Sequence, residues 1–172
     1  KFFARARCGA SAREARAAAC FTHEAIATVY ALEEIDGELY IASELVHGET
    51  LRAELARGPV PPDRLVSTLV DVASGLSAAH SHTVIHRDLK PENIIRRTDG
   101  HIKILDFGLA RFTDPDVRTI TRMTEPGTAP GTPGYMAPEQ LGGGTIDGRT
   151  DLFAFGILAW ELATGEHPFG SN

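Results

Sequence analysis

His86-Arg87-Asp88-Leu89-Lys90-Pro91-Glu92-Asn93 is the stretch from which the fold and the chemistry of this chain are read. It brings an acid, a lysine and an amide close together in a segment too rich in polar and turn-forming residues to be buried core. Such a set suits phosphoryl transfer, where a protein mainly positions the reactants and neutralises charge on phosphate oxygens and metal. The Asp88 carboxylate can accept a hydroxyl proton, Lys90 can screen a transferring phosphate, and the Asn93 amide oxygen can ligate Mg2+. A charged surface turn punctuated by Pro91 is the plainer reading of residues 86–88 alone; all eight residues in order favour the chemical one.

Working outward, Pro61, Pro62 and Asp63 form a helix start, and Leu65, Leu69, Val72, Leu76 and Ala79 follow at helical spacing as one inward stripe. That long helix delivers the chain to His86. Before it, a short helix is predicted from Leu51 to Arg57, stopped by Gly58 and Pro59. Further upstream, Ile26 to Leu32 and Leu39 to Val46 are apolar, β-branched runs around Asp36-Gly37, the pattern of two antiparallel strands in a hairpin. Ser11 and Glu14 have capping-box spacing, and the Ala-rich run after them predicts a helix to about Phe21.

Downstream, Ile94 to Ile95 and Ile102 to Leu105 flank Thr98-Asp99-Gly100 and predict a second small hairpin, with Asp106 at its far end. Asp106 to Ala137 is rich in Thr, Pro and Gly and has no sustained period; a loop of that length is functional or disordered. Order returns at Pro138 to Leu141, and an apolar helix is predicted from about Asp151 to Thr164, capped by Gly165.

The 172 residues are 42% hydrophobic, enough for one domain with a real core. A net charge of -6 argues against a large nucleic-acid footprint, which needs clustered Lys and Arg. Cys8 and Cys20 have neither the number nor the spacing of a disulfide framework or zinc site, so reduced thiols in a cytoplasmic protein are expected. No apolar run is long enough to cross a bilayer; Leu152 to Leu162 contains Glu161 and reads as a buried helix.

The 86–93 stretch, Asp106-Phe107-Gly108, and Ala137-Pro138-Glu139 occur in order and together resemble the protein kinase family. More narrowly, Arg13 to Arg16 (REAR), Glu44 to Leu51 (ELVHGETL) and Gly131 to Leu141 (GTPGYMAPEQL) look like bacterial serine/threonine kinases of the eukaryotic type. The resemblance covers nearly the whole chain. It implies an α+β, two-lobed fold in truncated form: a partial N-lobe and hinge over residues 1–46, holding the αC helix and antiparallel strands, and a partial, mainly helical C-lobe over 47–172.

Carried over by motif, Asp88 matches the catalytic-loop acid, Lys90 the lysine that marks Ser/Thr rather than Tyr kinases, and Asn93 the second metal ligand. Asp106 matches the acid that holds Mg2+ against the β and γ phosphates, although a simple strand-end turn would also use Asp-Phe-Gly. Glu14 matches the αC glutamate, or serves only as a helix cap; its partner in the family is a third-strand lysine, and Lys1 is the sole lysine upstream of it. Glu44 and Val46 would bond adenine through their backbones, Ser43 falls at the gatekeeper position, and Ile95 would pack beneath the ring. Arg87 would pair with a phosphothreonine of the activation loop, Thr124 first, then Thr128 or Thr121, while Thr132 contacts the catalytic loop. Asp151 would accept bonds from the catalytic-loop backbone, or be an ordinary helix N-cap.

The resemblance thus implies ATP and Mg2+, with Mn2+ as a substitute, and protein substrates bearing Ser or Thr, with no nucleic acid. Catalysis would be cytoplasmic, whether the parent ends in soluble domains or continues into a transmembrane helix and sensor, as many similar bacterial kinases do. No Gly-rich loop precedes Glu14, and the arginine that pairs with Glu139 in the family is not in this chain, which reads as the middle of a kinase domain. A pseudokinase acting as a binding module and a small-molecule phosphotransferase of related fold are the competing readings.

Overall fold

Pro62 opens the helix that carries the chain to the 86–93 stretch. In a computed structural model, which describes residues 2–6, 22–35, 38–107 and 133–170, this helix runs Pro62–Ser81, with Pro62 and Asp63 in its first turn. Val72, Leu76 and Ala79 are fully buried, and Leu65 and Leu69 pack at the edge of the core. The inward stripe is therefore as the spacing predicts. Gly75 sits on that stripe because a β-carbon there would lie 3.0 Å from Ile104 Cδ1, so the helix approaches the strand beneath it at backbone distance.

Among the described residues, six strands form two antiparallel sheets. The first has the order β1 (Phe2–Ala6), β3 (Glu38–Ser43), β2 (Val29–Ile35), with Phe2 opposite Ser43 and Ile35 opposite Glu38. The second runs β4 (Gly48–Thr50), β5 (Ile94–Arg97), β6 (Ile102–Ile104). The helices are α1 (Leu51–Leu55), α2 (Pro62–Ser81), α3 (Pro138–Gly142) and α4 (Gly148–Thr164). Antiparallel strands followed by a mainly helical region make the architecture α+β.

Several boundaries differ from expectation. Ile26 does not begin β2; it forms a parallel bridge with Ile104, while Ala27 N–H donates to Ile104 O and Ile104 N–H to Ala25 O. The strand expected to reach Val46 stops at Ser43. Helix α4 starts at Gly148 rather than Asp151, because Asp147 accepts from Arg149 N–H at 2.9 Å and is the cap. Its guanidinium neighbour Arg149 holds the Asp147 carboxyl down at about 2. β1, Phe2–Ala6, and the three-residue β4 were not expected from the sequence, being too short to show a period of their own. The predicted helix from Ser11 with Glu14, together with Lys1, the Asp36-Gly37 turn, Gly108 and Thr121, Thr124, Thr128 and Thr132, lies outside the described residues.

One apolar cluster unites these parts. Leu51 of α1, Val72 and Leu76 of α2, Leu89, Ile94 and Ile104 around the catalytic stretch, and Leu158 and Leu162 of α4 are all buried in it. Burial of this kind removes roughly 25 cal/mol of unfavourable hydration per Å2 and is the main force fixing the loop between α2 and β5.

Candidate active site

His86 is fully buried, and its ring decides how the loop is built. Nε2 faces the Leu105 carbonyl at 2.9 Å, and Nδ1 accepts from Asp88 N–H at 3.2 Å. A carbonyl can only accept and a backbone N–H only donate, so the ring is neutral with its proton on Nε2. Burial depresses its pKa in agreement, outweighing the opposing charge of Asp151. The ring meets Phe107 edge-on, with centroids 4.7 Å apart.

Asp151 supports the same loop from α4. Its Oδ2 accepts from His86 N–H at 2.9 Å and contacts His80 Nε2 at 2.7 Å, while Oδ1 accepts from Arg87 N–H at 2.8 Å. It lies inside the helix, buried, so the role as an N-cap is overturned and the bond to the catalytic-loop backbone is what the geometry has. Arg87 is held with φ of 71°, a conformation costly for a residue with a β-carbon.

Beyond Arg87 the functional groups converge. Lys90 Nζ lies 3.0 Å from Asp88 Oδ1 and 2.8 Å from Oδ2. Asn93 Nδ2 donates to Asp88 O at 2.8 Å and to Asp88 Oδ2 at 3.0 Å. With the amide nitrogen engaged twice, the Asn93 group left for a cation is its oxygen. The Asp88 side chain is 48% exposed and that of Lys90 17%, so the acid faces outward while the lysine lies along it.

The short turn Pro91–Asn93 and the bond from Leu105 N–H to Asn93 O join the loop to the end of β6. There Asp106, with φ of 56°, turns its carboxylate out of the sheet. The residue has an open surface, but its carboxyl is backed by the site. Burial pushes its pKa up, with the charge of Asp88 adding to the effect and that of Lys90 opposing it. Asp88, Lys90, Asn93 and Asp106 thus come together at one end of the β5–β6 hairpin. Carboxylate and amide oxygens of this kind suit Mg2+ or Mn2+ rather than softer ions. No cluster of three or more His, Cys, Asp and Glu of metal-binding arrangement occurs among the described residues.

The linker 44–47 is set by Glu44. Its N–H donates to Thr28 O at 2.8 Å, and its Oε2 accepts from Thr28 N–H at 3.1 Å and from Lys103 Nζ at 2.9 Å. Burial works against the Glu44 charge, but the Thr28 N–H and Lys103 outweigh it and hold the carboxyl below the usual range. This capture explains why β3 ends at Ser43 and Val46 stands in open chain. Ile95, on β5, lies opposite Lys103 and is half-buried.

Sequence reasoning missed Lys103, whose signal was a lysine in the middle of the short apolar strand Ile102–Ile104. It also missed a junction at Arg52, whose guanidinium reaches Glu92 at 2.7 Å, Glu161 at 2.6 Å and the Tyr135 hydroxyl at 3.1 Å. Glu161, the one acid within an otherwise apolar run, was the available clue. Glu139 has a partner of its own, Thr150 Oγ1 at 2.7 Å.

The sequence profile of the protein kinase domain matches residues 4–172. The chain belongs to the protein kinase family. This kinase domain is 41% identical over 157 residues to serine/threonine-protein kinase PknL of Mycobacterium tuberculosis, covering 91% of the chain and 38% of that protein. It is 43% identical over 168 residues to serine/threonine-protein kinase pkn3 of Myxococcus xanthus, covering 93% of the chain and 30% of that protein. With PknB of Mycolicibacterium smegmatis the figures are 39% over 162 residues, 91% and 25%. The kinase domain therefore spans 38% or less of the length of these bacterial relatives. No helix among its described residues is long and apolar enough to cross a membrane.

Proposed function

We propose that the protein carrying this chain transfers the γ-phosphate of ATP to Ser and Thr hydroxyls of protein substrates. The observation that carries this reading is the Asp88 carboxylate, exposed to a substrate yet fixed by Lys90 and Asn93 on a frame of neutral His86 and buried Asp151. As the hydroxyl oxygen bonds to the γ-phosphorus, the bond from that phosphorus to the β–γ bridging oxygen breaks, ADP leaves with the bonding pair, and the hydroxyl proton passes to the Asp88 carboxylate. Lys90, already paired with Asp88, screens the phosphoryl oxygens. Asn93 Oδ1 and the Asp106 carboxylate would hold the Mg2+ or Mn2+, which when bound neutralises phosphate charge. Backbone groups of Glu44 and Val46 would bind adenine, with Ser43 behind it and Ile95 below. Glu14 would pair with a third-strand lysine.

Regulation by phosphorylation of the 108–132 loop belongs to the same proposal, with Thr124 the first choice, Thr128 and Thr121 the next, and Arg87 as receptor of the new charge; Thr132 is assigned to the catalytic loop. Catalysis is assigned to the cytoplasm. The test uses labelled Mg-ATP. Label is expected on Ser or Thr of a protein acceptor, absent with Asp88→Asn, and phosphopeptide mapping of the products is expected to find a modified loop threonine. Retained transfer in Asp88→Asn contradicts the role of Asp88, and an unmodified loop removes the regulatory part.

A further inference from the structure

The peptide group joining Arg87 to Asp88 is bonded at both ends. Its N–H, that of Asp88, donates to His86 Nδ1 at 3.2 Å, and its C=O, that of Arg87, accepts from Gln140 Nε2 at 2.8 Å. The plane therefore cannot rotate without breaking one of two bonds, and its rotation would change both the strained Arg87 and the direction of the Asp88 side chain. The other end of the Gln140 amide is also used: Oε1 accepts from Ala137 N–H at 2.9 Å, at the entry to α3. One side chain thus links the entry of α3 to the residue before the acid.

We propose that Gln140 is a positioning residue for phosphoryl transfer, its amide latching the entry of α3 onto the Arg87 carbonyl and so fixing the direction of Asp88. The inference rests on the assignment of Asp88 as the group that takes the hydroxyl proton. A purely local role is the alternative, since the bond to Ala137 N–H alone is an ordinary helix cap.

Gln140→Glu separates the two roles. It keeps the oxygen that caps Ala137 N–H but sets a second oxygen, without a proton, against the Arg87 carbonyl. In the full-length gene product, kcat is expected to fall about tenfold while KM for peptide and for ATP stays within about twofold. The rate relative to the unaltered protein is expected to recover as pH falls through the glutamate range, because the protonated carboxyl regains a donor. Gln140→Met, uncharged and of similar size, is expected to show the loss without that recovery. An unchanged kcat, or a change in KM alone, overturns the latch.

Hydrogen exchange at the Asp88 amide, measured without nucleotide, decides the geometry apart from the chemistry. It is expected to quicken about tenfold in both variants, and an unchanged rate overturns the latch even where kcat falls. Failure of the unaltered protein to transfer phosphate would instead overturn the catalytic assignment, with the exchange result still deciding whether Gln140 holds the peptide group.

Discussion

Asp106 carries a conflict between stability and use. Burial and the neighbouring charge of Asp88 raise its pKa, so its ionised form is disfavoured in the folded protein. A carboxyl whose folded pKa is raised opposes folding above that pKa, and the penalty is relieved as pH falls through it. Asp106→Asn has no proton to release and tolerates the positive φ. It is expected to melt at a higher temperature than the unaltered protein at neutral pH, with the difference closing on acidification. In the metal-holding role proposed for Asp106, the raised pKa lets protons compete with Mg2+ earlier than at an ordinary aspartate, and magnesium affinity is expected to weaken with acid in the unaltered protein. A melting-temperature difference that stays constant with pH would show that the Asp106 charge is not penalised.

The individual acids, amide and lysine were legible because a fixed local spacing carries them: 88, 90 and 93 fall within six consecutive residues, and 106 at the exit of one hairpin. Lys103, Gln140 and Arg52 were not, since their partners are distant in sequence. Lys103 reaches Glu44 across 59 positions, Gln140 reaches Arg87 across 53, and Arg52 reaches Glu161 across 109. Periodicity reports which face is apolar and is silent on which charge meets which.

Among elements, α1, α4, the catalytic loop and the Pro133–Tyr135 turn meet at one guanidinium. Burial works against the Arg52 charge, but Glu161 and Glu92 outweigh it and hold its pKa above the usual value. Two acids share this one base, and Glu92 Oε2 and Glu161 Oε2 remain buried without a hydrogen-bond partner. Arg52→Met would leave both carboxylates without their counterion. Because the arginine side chain is 38% exposed, the expected loss is about 3 kcal/mol, the low end for breaking a buried pair, read by denaturant unfolding. Adding Glu161→Gln should recover part of it. A loss under about 1 kcal/mol would rank the junction with ordinary surface pairs. The helices themselves were predictable at their apolar stripes and less so at their ends, as at α4, where the Asp147 cap moved the start to Gly148.

Across the molecule, Lys103 is buried between the 22–28 segment and the 44–47 linker, bonding Ile26 O at 3.0 Å as well as Glu44. Glu44 has a depressed folded pKa, so the stability from its pairing is present above its unfolded pKa and is lost as pH falls through the folded one. Lys103→Met is expected to lower the melting temperature most at neutral pH and less in acid, as Glu44 takes up its proton and the pairing is lost in the unaltered protein too. Equal losses at both pH values would assign the effect of Lys103 to packing and to the Ile26 bond alone.

The first sheet is joined to the rest of the described chain at two places, the linker that leaves β3 and the 25–27 pairing with Ile104. Two points of attachment define a line. Mechanically, a body held at two points keeps one easy freedom, rotation about the axis through them, while sliding and lifting are resisted at both. Among the described residues these two attachments favour a pivot over a slide, with Glu44 and Lys103 standing beside its bearing and Asp106, just past Ile104, close to the axis where displacement is least.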